Sequence, residues 1–173
     1  MMKEFLQWFM KQVLFFSLFL FSCLNSFAQG NNAPGLKKMI GKTFVDEKKI
    51  PGLKGYQFRQ GDVISDINDP RQLFLDVYLK GMSGIVVFSQ REDTTVSTIL
   101  DVIEIKSIPA GWEIKTAGCQ FGQTEGEVII ALVNPGKKEY TTVVKQAWRC
   151  NRDKIRFEAI STKGIKCLNE GQD

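Results

Sequence analysis

Short runs of apolar, β-branched and aromatic residues alternate with turn residues along the second half of the chain. Seven runs have this composition: GIVVFS, TILDVIEI, WEIKT, EVIIALV, YTTVVKQAW, KIRFEAI and GIKCL. Glycine, proline, asparagine or aspartate residues bound these runs, a pattern that predicts β-strands. The clearest turn signals are Pro109-Ala110-Gly111 and Asn134-Pro135-Gly136-Lys137. The run EVIIALV is apolar on both faces, which predicts a central strand covered by other layers on each side.

The first half of the chain has weaker patterns. Leu36, Met39 and Ile40 are spaced for one or two helical turns that end at Gly41. The stretch between Thr43 and Gly61 is basic and interrupted by glycines, and it contains short strand candidates at TFV and YQFR. Only short elements are therefore predicted before residue 69.

The segment that begins Asp69-Pro70-Arg71-Gln72 has the composition of a helix start. Asp69 is a favourable N-cap residue, and Pro70 suits the first helical position. Gln72 lies where a capping box needs it, and Gly81 closes the segment after Lys80. The apolar positions between them fit one helical face (Leu73, Phe74, Val77, Tyr78) and also a strand alternation (Leu73, Leu75, Val77, Leu79). The capping signals favour the helix. The whole pattern predicts an α+β domain with about seven antiparallel strands and one or two short helices packed on the sheet.

Residues 1–28 have the features of a secretory signal. Lys3 and Lys11 precede the apolar run VLFFSLFLF, and a more polar stretch ends in small residues at Ser26 and Ala28. This order predicts cleavage between Ala28 and Gln29. The apolar run is too short for a membrane span, which needs about 20 residues. Residues 29–173 are then expected to form one globular domain that is periplasmic or secreted and has no stable membrane span.

Lipidation at Cys23 is the alternative to this cleavage. Leu20-Phe21-Ser22-Cys23 loosely resembles a bacterial lipobox, although the bulky Phe21 replaces the small residue usually found there. A lipid on Cys23 would change the domain from a soluble protein to a membrane-anchored one.

Charge is distributed unevenly along the processed chain. Residues 29–59 contain seven basic and two acidic side chains, residues 60–134 five and eleven, and residues 135–173 nine and five. The net charge of +3 after processing is too small to predict a nucleic-acid partner. Basic ends around an acidic middle are typical of solvated faces, and they form one basic face for an acidic partner only if the two ends lie together.

Three cysteines remain after processing, and an exported protein meets an oxidising compartment. If the runs ending at Cys150 and starting at Lys154 form a hairpin, Cys167 falls near the opposite end of that hairpin. Cys150 and Cys167 are then too far apart for a bond. Cys119 can pair with either of them, and we favour Cys119–Cys167 with Cys150 left free. A free Cys150 near Arg149 and Arg152 could be a reactive thiolate, or it could be merely unpaired.

The absence of histidine from the chain removes the commonest catalytic base and the usual imidazole zinc ligands. No CxxC, G-x-S-x-G, S-x-x-K or glycine-rich phosphate loop is present either. We therefore expect no cofactor, no metal and no catalytic residues.

Two groups of residues could support chemistry that does not need histidine. Carboxylate-only glycoside hydrolysis needs two acids at a set separation, and the candidate acids are Asp101, Glu104, Glu113, Glu125 and Glu127. The candidate calcium ligands lie in one loop: Asp62, Asp66, Asn68 and Asp69. The spacing of these four does not match an EF-hand, and Asx turns together with helix capping by Asp69 explain them as well.

The aromatic residues offer a candidate surface for binding. The possible members of a stacking platform are Tyr56, Tyr78, Trp112, Tyr140 and Trp148. The alternation of Trp148 with Val144 and Gln146 predicts a core position for Trp148. Trp112 follows a turn and is the better candidate for surface binding.

The sequence thus predicts a small exported binding or inhibitor-type protein with a protein or glycan partner in the cell envelope. The alternative is a carboxylate-based hydrolase of envelope polysaccharide.

Overall fold

The computed structural model describes residues 34–66, 69–91, 95–122 and 126–169. In these residues the chain is mostly antiparallel β-structure, with one helix of four residues, α1 (Pro34–Lys37), and one 3₁₀ turn (Glu47–Lys49). The twelve strands are β1 (Thr43–Phe44), β2 (Gln57–Val63), β3 (Gln72–Lys80), β4 (Ser83–Arg91), β5 (Ser97–Ile105), β6 (Glu113–Lys115), β7 (Cys119–Phe121), β8 (Val128–Val133), β9 (Tyr140–Thr141), β10 (Val144–Asn151), β11 (Arg156–Ala159) and β12 (Ile165–Leu168).

The strands form three sheets. Sheet A has the order β1-β5-β4-β3-β2, sheet B the order β11-β10-β8-β6, and sheet C the order β7-β12-β9. Strand β8 pairs with β6 on one side and β10 on the other. Its residues 129–133 are all buried. The central strand predicted from EVIIALV is therefore confirmed.

Three hydrophobic cores separate four layers. Leu75 and Val86 of sheet A pack with Ile130 and Leu132 of sheet B in the core between these two sheets. Residues 34–56, the N-terminal segment, cover the other face of sheet A. Their side chains Met39, Phe44, Ile50 and Leu53 pack against Tyr78, Ile85 and Val87. Sheet C covers the other face of sheet B, where Ile165 and Cys167 pack against Ile129 and Ala131. Both faces of sheets A and B are thus buried, which explains the apolar runs in their central strands.

The helix predicted after Asp69 is wrong, because residues 72–80 form strand β3. Strand β3 is hydrogen-bonded to β2 on one edge and to β4 along its whole length on the other. Asp69 does not cap a helix, and its carboxylate instead accepts the backbone N–H of Arg71 in a two-residue Asx turn, at 3.0 Å. Gly81 has φ +57° and starts the tight turn between β3 and β4. Pairing on both edges outweighs the local capping signals.

The prediction of an α+β domain with about seven strands is also imprecise. The seven predicted runs overlap β4, β5, β6, β8, β10, β11 and β12, and the run YTTVVKQAW also contains β9. The short candidates TFV and YQFR fall on β1 and β2, so β3 and β7 are the strands that were not predicted. Strand β7 has three residues, too few to show a periodic pattern. No helix in the described ranges has the length and apolar character needed to cross a bilayer.

Sheets A and B meet along two seams, one between β5 and β11 and the other between β2 and β6. Strand β5 lies next to the outermost strand β1, which pairs only with Ser97 and Thr98 and leaves the rest of that edge of β5 without a strand partner in the described residues. At one seam β5 lies against β11, and the Asp101 carboxylate accepts the backbone N–H of Phe157 at 2.6 Å. Burial raises the pKa of Asp101, and the N–H donors of Phe157 and Val102 partly oppose this rise. At the other seam, β2 and β6 are the outermost strands of their sheets, and no backbone pairing joins them.

The two basic ends of the chain lie largely on opposite sides of these layers. The N-terminal segment covers sheet A, whereas strand β12 lies in sheet C beyond sheet B. The ends approach each other at the β5–β11 seam, where Lys37 and Arg156 both lower the pKa of Asp101. The two basic ends are thus close together at this seam, while other parts of them lie on different layers.

Candidate functional site

A cavity of about 500 Å³ opens at the seam between β2 and β6. Trp112 lies on its wall, so we call it the Trp112 groove. Its polar lining consists of Arg59, Gln60, Asp62, Glu113, Lys115 and Thr116. Its apolar lining includes Val77, Leu79, Ile108 and Ile114. The structure thus places the one aromatic side chain that the sequence singled out for surface binding in a groove of mixed polarity.

A tight turn and one backbone contact position Trp112. The backbone N–H of Trp112 donates to the carbonyl of Pro109 at 3.1 Å, and Gly111 has φ +77° at the third position of this turn. Such a turn requires a positive φ there, which glycine adopts without strain. Earlier in the same loop, the backbone N–H of Ile108 donates to the carbonyl of Met82 in the β3–β4 turn at 2.8 Å. Residues 106–112, the Trp112 loop, are therefore held to sheet A by this hydrogen bond and to sheet B by continuing into β6.

Side chains bridge the two edge strands at the base of the groove. The Gln60 amide donates to Thr116 Oγ1 at 2.7 Å, and the Thr116 hydroxyl donates to Asp62 Oδ2. The Gln60 amide also lies 3.3 Å from Asp62 Oδ2. Two acceptor atoms, Gln60 Oε1 and Asp62 Oδ1, make no hydrogen bond within the described part of the chain. They are available to donors on a ligand.

Gly84 makes room for the apolar floor of the groove. A Cβ atom on Gly84 would lie 2.5 Å from Ile114 Cδ1, 3.0 Å from Ile108 Cδ1 and 3.2 Å from Leu79 Cδ2. The floor side chains therefore pack down onto the backbone of β4 at a point where any larger residue would push them outward. The depth of the groove depends on this glycine.

The candidate acids for glycoside hydrolysis are dispersed. Asp101 is bound at the β5–β11 seam, Glu104 pairs with Lys106 at 3.4 Å, and Glu113 pairs with Lys115 at 3.2 Å. Glu127 pairs with Arg149 at 3.1 Å in a different cavity. Glu125 lies outside the described residues. Glu113 and Glu127 therefore line two different cavities, and Asp101 and Glu104 line neither of these two.

The candidate calcium ligands are also bound to other groups. Asp62 belongs to the bridge with Thr116, and Asp66 pairs with Arg152 at 2.8 Å. Asp69 pairs with Arg71 at 2.8 Å, and hydrogen bonds from Arg71 lower its pKa to about 2. Asn68 lies outside the described residues. Across residues 34–66, 69–91, 95–122 and 126–169, no three Asp, Glu or Cys side chains are grouped so that they could hold a metal ion.

A second cavity of about 410 Å³ lies near Arg152, between the loop at Asp66 and the β10–β11 turn. Its three arginines, Arg71, Arg149 and Arg152, are each paired with a carboxylate. Arg152 also donates to the carbonyl of Ile64 at 3.0 Å. These contacts tie neighbouring loops together. Arg59 in the Trp112 groove differs from these arginines, because no described residue forms an ion pair with it.

The disulfide joins Cys119 and Cys167, the pairing that we favoured from the sequence. These residues are directly opposite each other on β7 and β12. The predicted hairpin is present as β10 and β11, in which Cys150 is opposite Phe157. Cys150 is free and 4% exposed, and burial raises the pKa of its thiol to about 12. The hypothesis of a reactive thiolate is therefore wrong, since Arg152 offsets only part of the effect of burial.

The other four aromatic candidates do not join Trp112. Trp148 is buried between sheets A and B, as predicted. The Tyr78 hydroxyl donates to the carbonyl of Glu47 at 2.8 Å beneath the N-terminal segment. Tyr56 lies below the Lys80 ammonium, and Tyr140 is exposed in sheet C. The structure therefore contains no shared stacking platform.

Sequence reasoning missed Arg59, Gln60 and Thr116. Phe58 is opposite Tyr78 and Gln60 is opposite Val77, so Arg59 is the extra residue of a β-bulge. The available signal was Gly61, because an isolated glycine within a strand indicates a bulge or a close backbone approach. A Cβ on Gly61 would lie 2.6 Å from Asp76 Oδ1, so both conditions apply.

Asp76 is a buried acid outside the groove. Asp76 is only 6% exposed. It lies on the face of β3 that the N-terminal segment covers, opposite Gly61 of β2 and Val87 of β4. The pKa of Asp76 is raised to about 7, chiefly by burial and also by the charges of Glu47 and Asp62, while Arg91 opposes part of this rise. The carboxyl group is therefore largely protonated below neutral pH and about half protonated at pH 7.

Comparison of the chain with protein-family models, with curated proteins and with solved structures found no match.

Proposed function

We propose that this protein is an exported binding module and that its Trp112 groove is the binding site. The observation that carries this proposal is the position of Trp112, a partly buried aromatic side chain on the wall of a cavity of about 500 Å³. Ligand sites combine an apolar surface with a few polar groups that fix orientation, and this groove offers both. Its polar groups include an arginine and two acceptor atoms without partners in the described residues.

The dispersal of the candidate acids supports binding over hydrolysis as the activity of this groove. A glycosidase needs two carboxyl groups about 5–10 Å apart around the scissile bond. The two acids of the groove, Asp62 and Glu113, are already engaged by Thr116 and Lys115. We therefore propose no catalytic role for them.

Capture of partners from an envelope fraction tests the proposed site. We expect the wild-type protein to retain a partner and Trp112→Ala to lose it, because truncating an aromatic anchor commonly costs about 2 kcal/mol or more of binding. The matched control is Tyr140→Ala, which removes an aromatic side chain that is 46% exposed in sheet C. Thermal unfolding of each variant verifies that it is folded. Equal capture by wild type and Trp112→Ala would contradict the proposal.

Export rests on the leader pattern and is supported by the Cys119–Cys167 disulfide, since such bonds persist in oxidising compartments. The mature protein should begin at Gln29, after cleavage of the Ser26-Phe27-Ala28 site. The intact mass of the exported protein measures this directly. A lipid-modified product that begins at Cys23 would instead show that the domain is membrane-anchored.

A further inference from the structure

We infer that the Trp112 groove binds an acidic saccharide, that is, a sugar chain bearing carboxylates, and this inference rests on the proposed function. Three features of the groove support it: the bulge at Arg59, two strand edges that are unsuitable for peptide addition, and a mixture of aromatic and polar groups.

The β-bulge in strand β2 supplies the cation. Side chains normally alternate between the faces of a strand, so consecutive residues do not share a face. The extra residue at Arg59 breaks this alternation, and both Arg59 and Gln60 line the groove. Bulges re-aim side chains in this way. Arg59 is exposed, and no ion pair with it exists within the described residues.

The groove has no other cation free to meet a ligand. Lys115 is paired with Glu113 at 3.2 Å, and its side chain is only 14% exposed. A guanidinium without a carboxylate partner favours an anionic group on the ligand, which it can bind through two parallel hydrogen bonds. The contrast with the paired arginines of the second cavity identifies Arg59 as the cation to test.

An extended peptide added as a further strand fits this seam poorly. Strand addition requires a regular free edge with backbone groups in register. Strand β2 has its bulge at Arg59, and strand β6 is only three residues long. Both features are ways in which proteins block edge pairing. The Gln60–Thr116–Asp62 bridge also crosses the space between the two strands. A ligand must therefore be recognised by side chains.

The side chains present suit a sugar. The face of a tryptophan ring packs against an apolar surface, and a sugar ring presents its C–H groups as one. The unpartnered acceptors Gln60 Oε1 and Asp62 Oδ1 can receive hydrogen bonds from hydroxyl groups. Arg59 then pairs with a carboxylate on the same chain.

Titration with two matched oligosaccharides tests the inference. One probe is an oligomer of uronic acids, and the other is the same oligomer with its carboxylates reduced to alcohols. We expect the wild-type protein to bind the acidic oligomer about tenfold more tightly, because a hydrogen bond between two charged groups is stronger than one between a charged group and an alcohol. Arg59→Gln should remove this preference, so that the variant binds the two oligomers equally tightly. Trp112→Leu, which keeps an apolar contact with the core, should weaken the binding of both oligomers.

The control is Lys166→Gln, which removes one exposed positive charge from sheet C, outside the groove. It should bind both oligomers as the wild type does. An equal loss in Lys166→Gln and Arg59→Gln would show that net charge rather than the groove attracts the acid, and would overturn the inference. If neither oligomer binds but capture of the envelope partner still requires Trp112, the saccharide assignment is wrong and the proposed function stands. If neither activity depends on Trp112, both are wrong.

Discussion

At pH 8 the Asp76→Asn variant should be more stable than the wild type by up to about 4 kcal/mol, and this advantage should vanish near pH 4. Burial raises the pKa of Asp76 in the folded protein to about 7 from its ordinary value of 3.8. Because the pKa is higher in the folded state, the folded protein keeps this proton at pH values where the unfolded chain has already lost it. The contribution of Asp76 to stability is thus fully present below pH 3.8 and is lost as the pH rises to about 7. Asparagine has the same size and does not ionise.

Urea unfolding of both proteins between pH 4 and pH 8 measures this difference. The control is Asp69→Asn, because hydrogen bonds from Arg71 hold the pKa of Asp69 at about 2. The ionised Asp69 carboxylate contributes its stability above the ordinary pKa of an aspartate, and this contribution is lost only as the pH falls towards about 2. Any loss of stability in Asp69→Asn should therefore be constant from pH 5 to pH 8. A stability difference for Asp76→Asn that does not change with pH would show that the carboxyl group is not held protonated by burial.

Replacing Cys167 by Ser should lower the free energy of unfolding by about 4 kcal/mol in the chain-entropy estimate. The disulfide closes a loop with a sequence separation of 48 residues, which restricts the unfolded chain. Such a loss is on the order of a third of the stability of a small domain. Denaturant unfolding under non-reducing conditions measures it, and residual structure in the unfolded chain would make the effect smaller.

Cys150→Ser is the matched control for the disulfide. Cys150 is buried between sheets A and B and forms no disulfide, so the loss should be about 1 kcal/mol, from packing and from burial of the hydroxyl. Peptide mapping without reduction should recover Cys119 linked to Cys167. Equal losses in the two variants, or a peptide that contains Cys150 in a disulfide, would contradict the assigned pairing.

The features that could be predicted from the sequence are those with a strong local or near-local pattern. The apolar character of EVIIALV on both faces identified β8, because sheets A and C cover it on its two sides. The turn at Asn151 and the strands around it predicted the hairpin, and the hairpin in turn favoured the Cys119–Cys167 disulfide. These inferences needed only the period of a strand and the reach of a disulfide.

The features that could not be predicted depend on contacts between distant segments. Residues 72–80 carry helix-capping signals, and only pairing with β2 and β4 makes them a strand. The Trp112 groove depends on a bridge between Gln60 and Thr116, which are 56 residues apart. Trp112 could be selected because a turn precedes it. For Arg59 the sequence offered only Gly61, which indicates a bulge or a close backbone approach nearby but not which side chain the bulge redirects.

The two seams between sheets A and B explain why the groove lies where it does. At the β5–β11 seam the Asp101 carboxylate receives a backbone N–H from the opposite sheet, which brings the two edges together. At the β2–β6 seam only side chains connect the edges. The space that remains there is lined by the Trp112 loop and by the bulge in β2.

The most direct test of the Trp112 groove as a binding site is ¹⁹F NMR of the protein labelled with fluorotryptophan. Trp112 lies on the groove, whereas Trp148 is buried in the core between sheets A and B. Trp112→Phe and Trp148→Phe variants assign the two signals. When a solubilised envelope fraction is added, the Trp112 signal should change its chemical shift and the Trp148 signal should stay in place. A Trp112 signal that does not move, in a sample where the protein has bound its partner, would contradict the assignment of the groove.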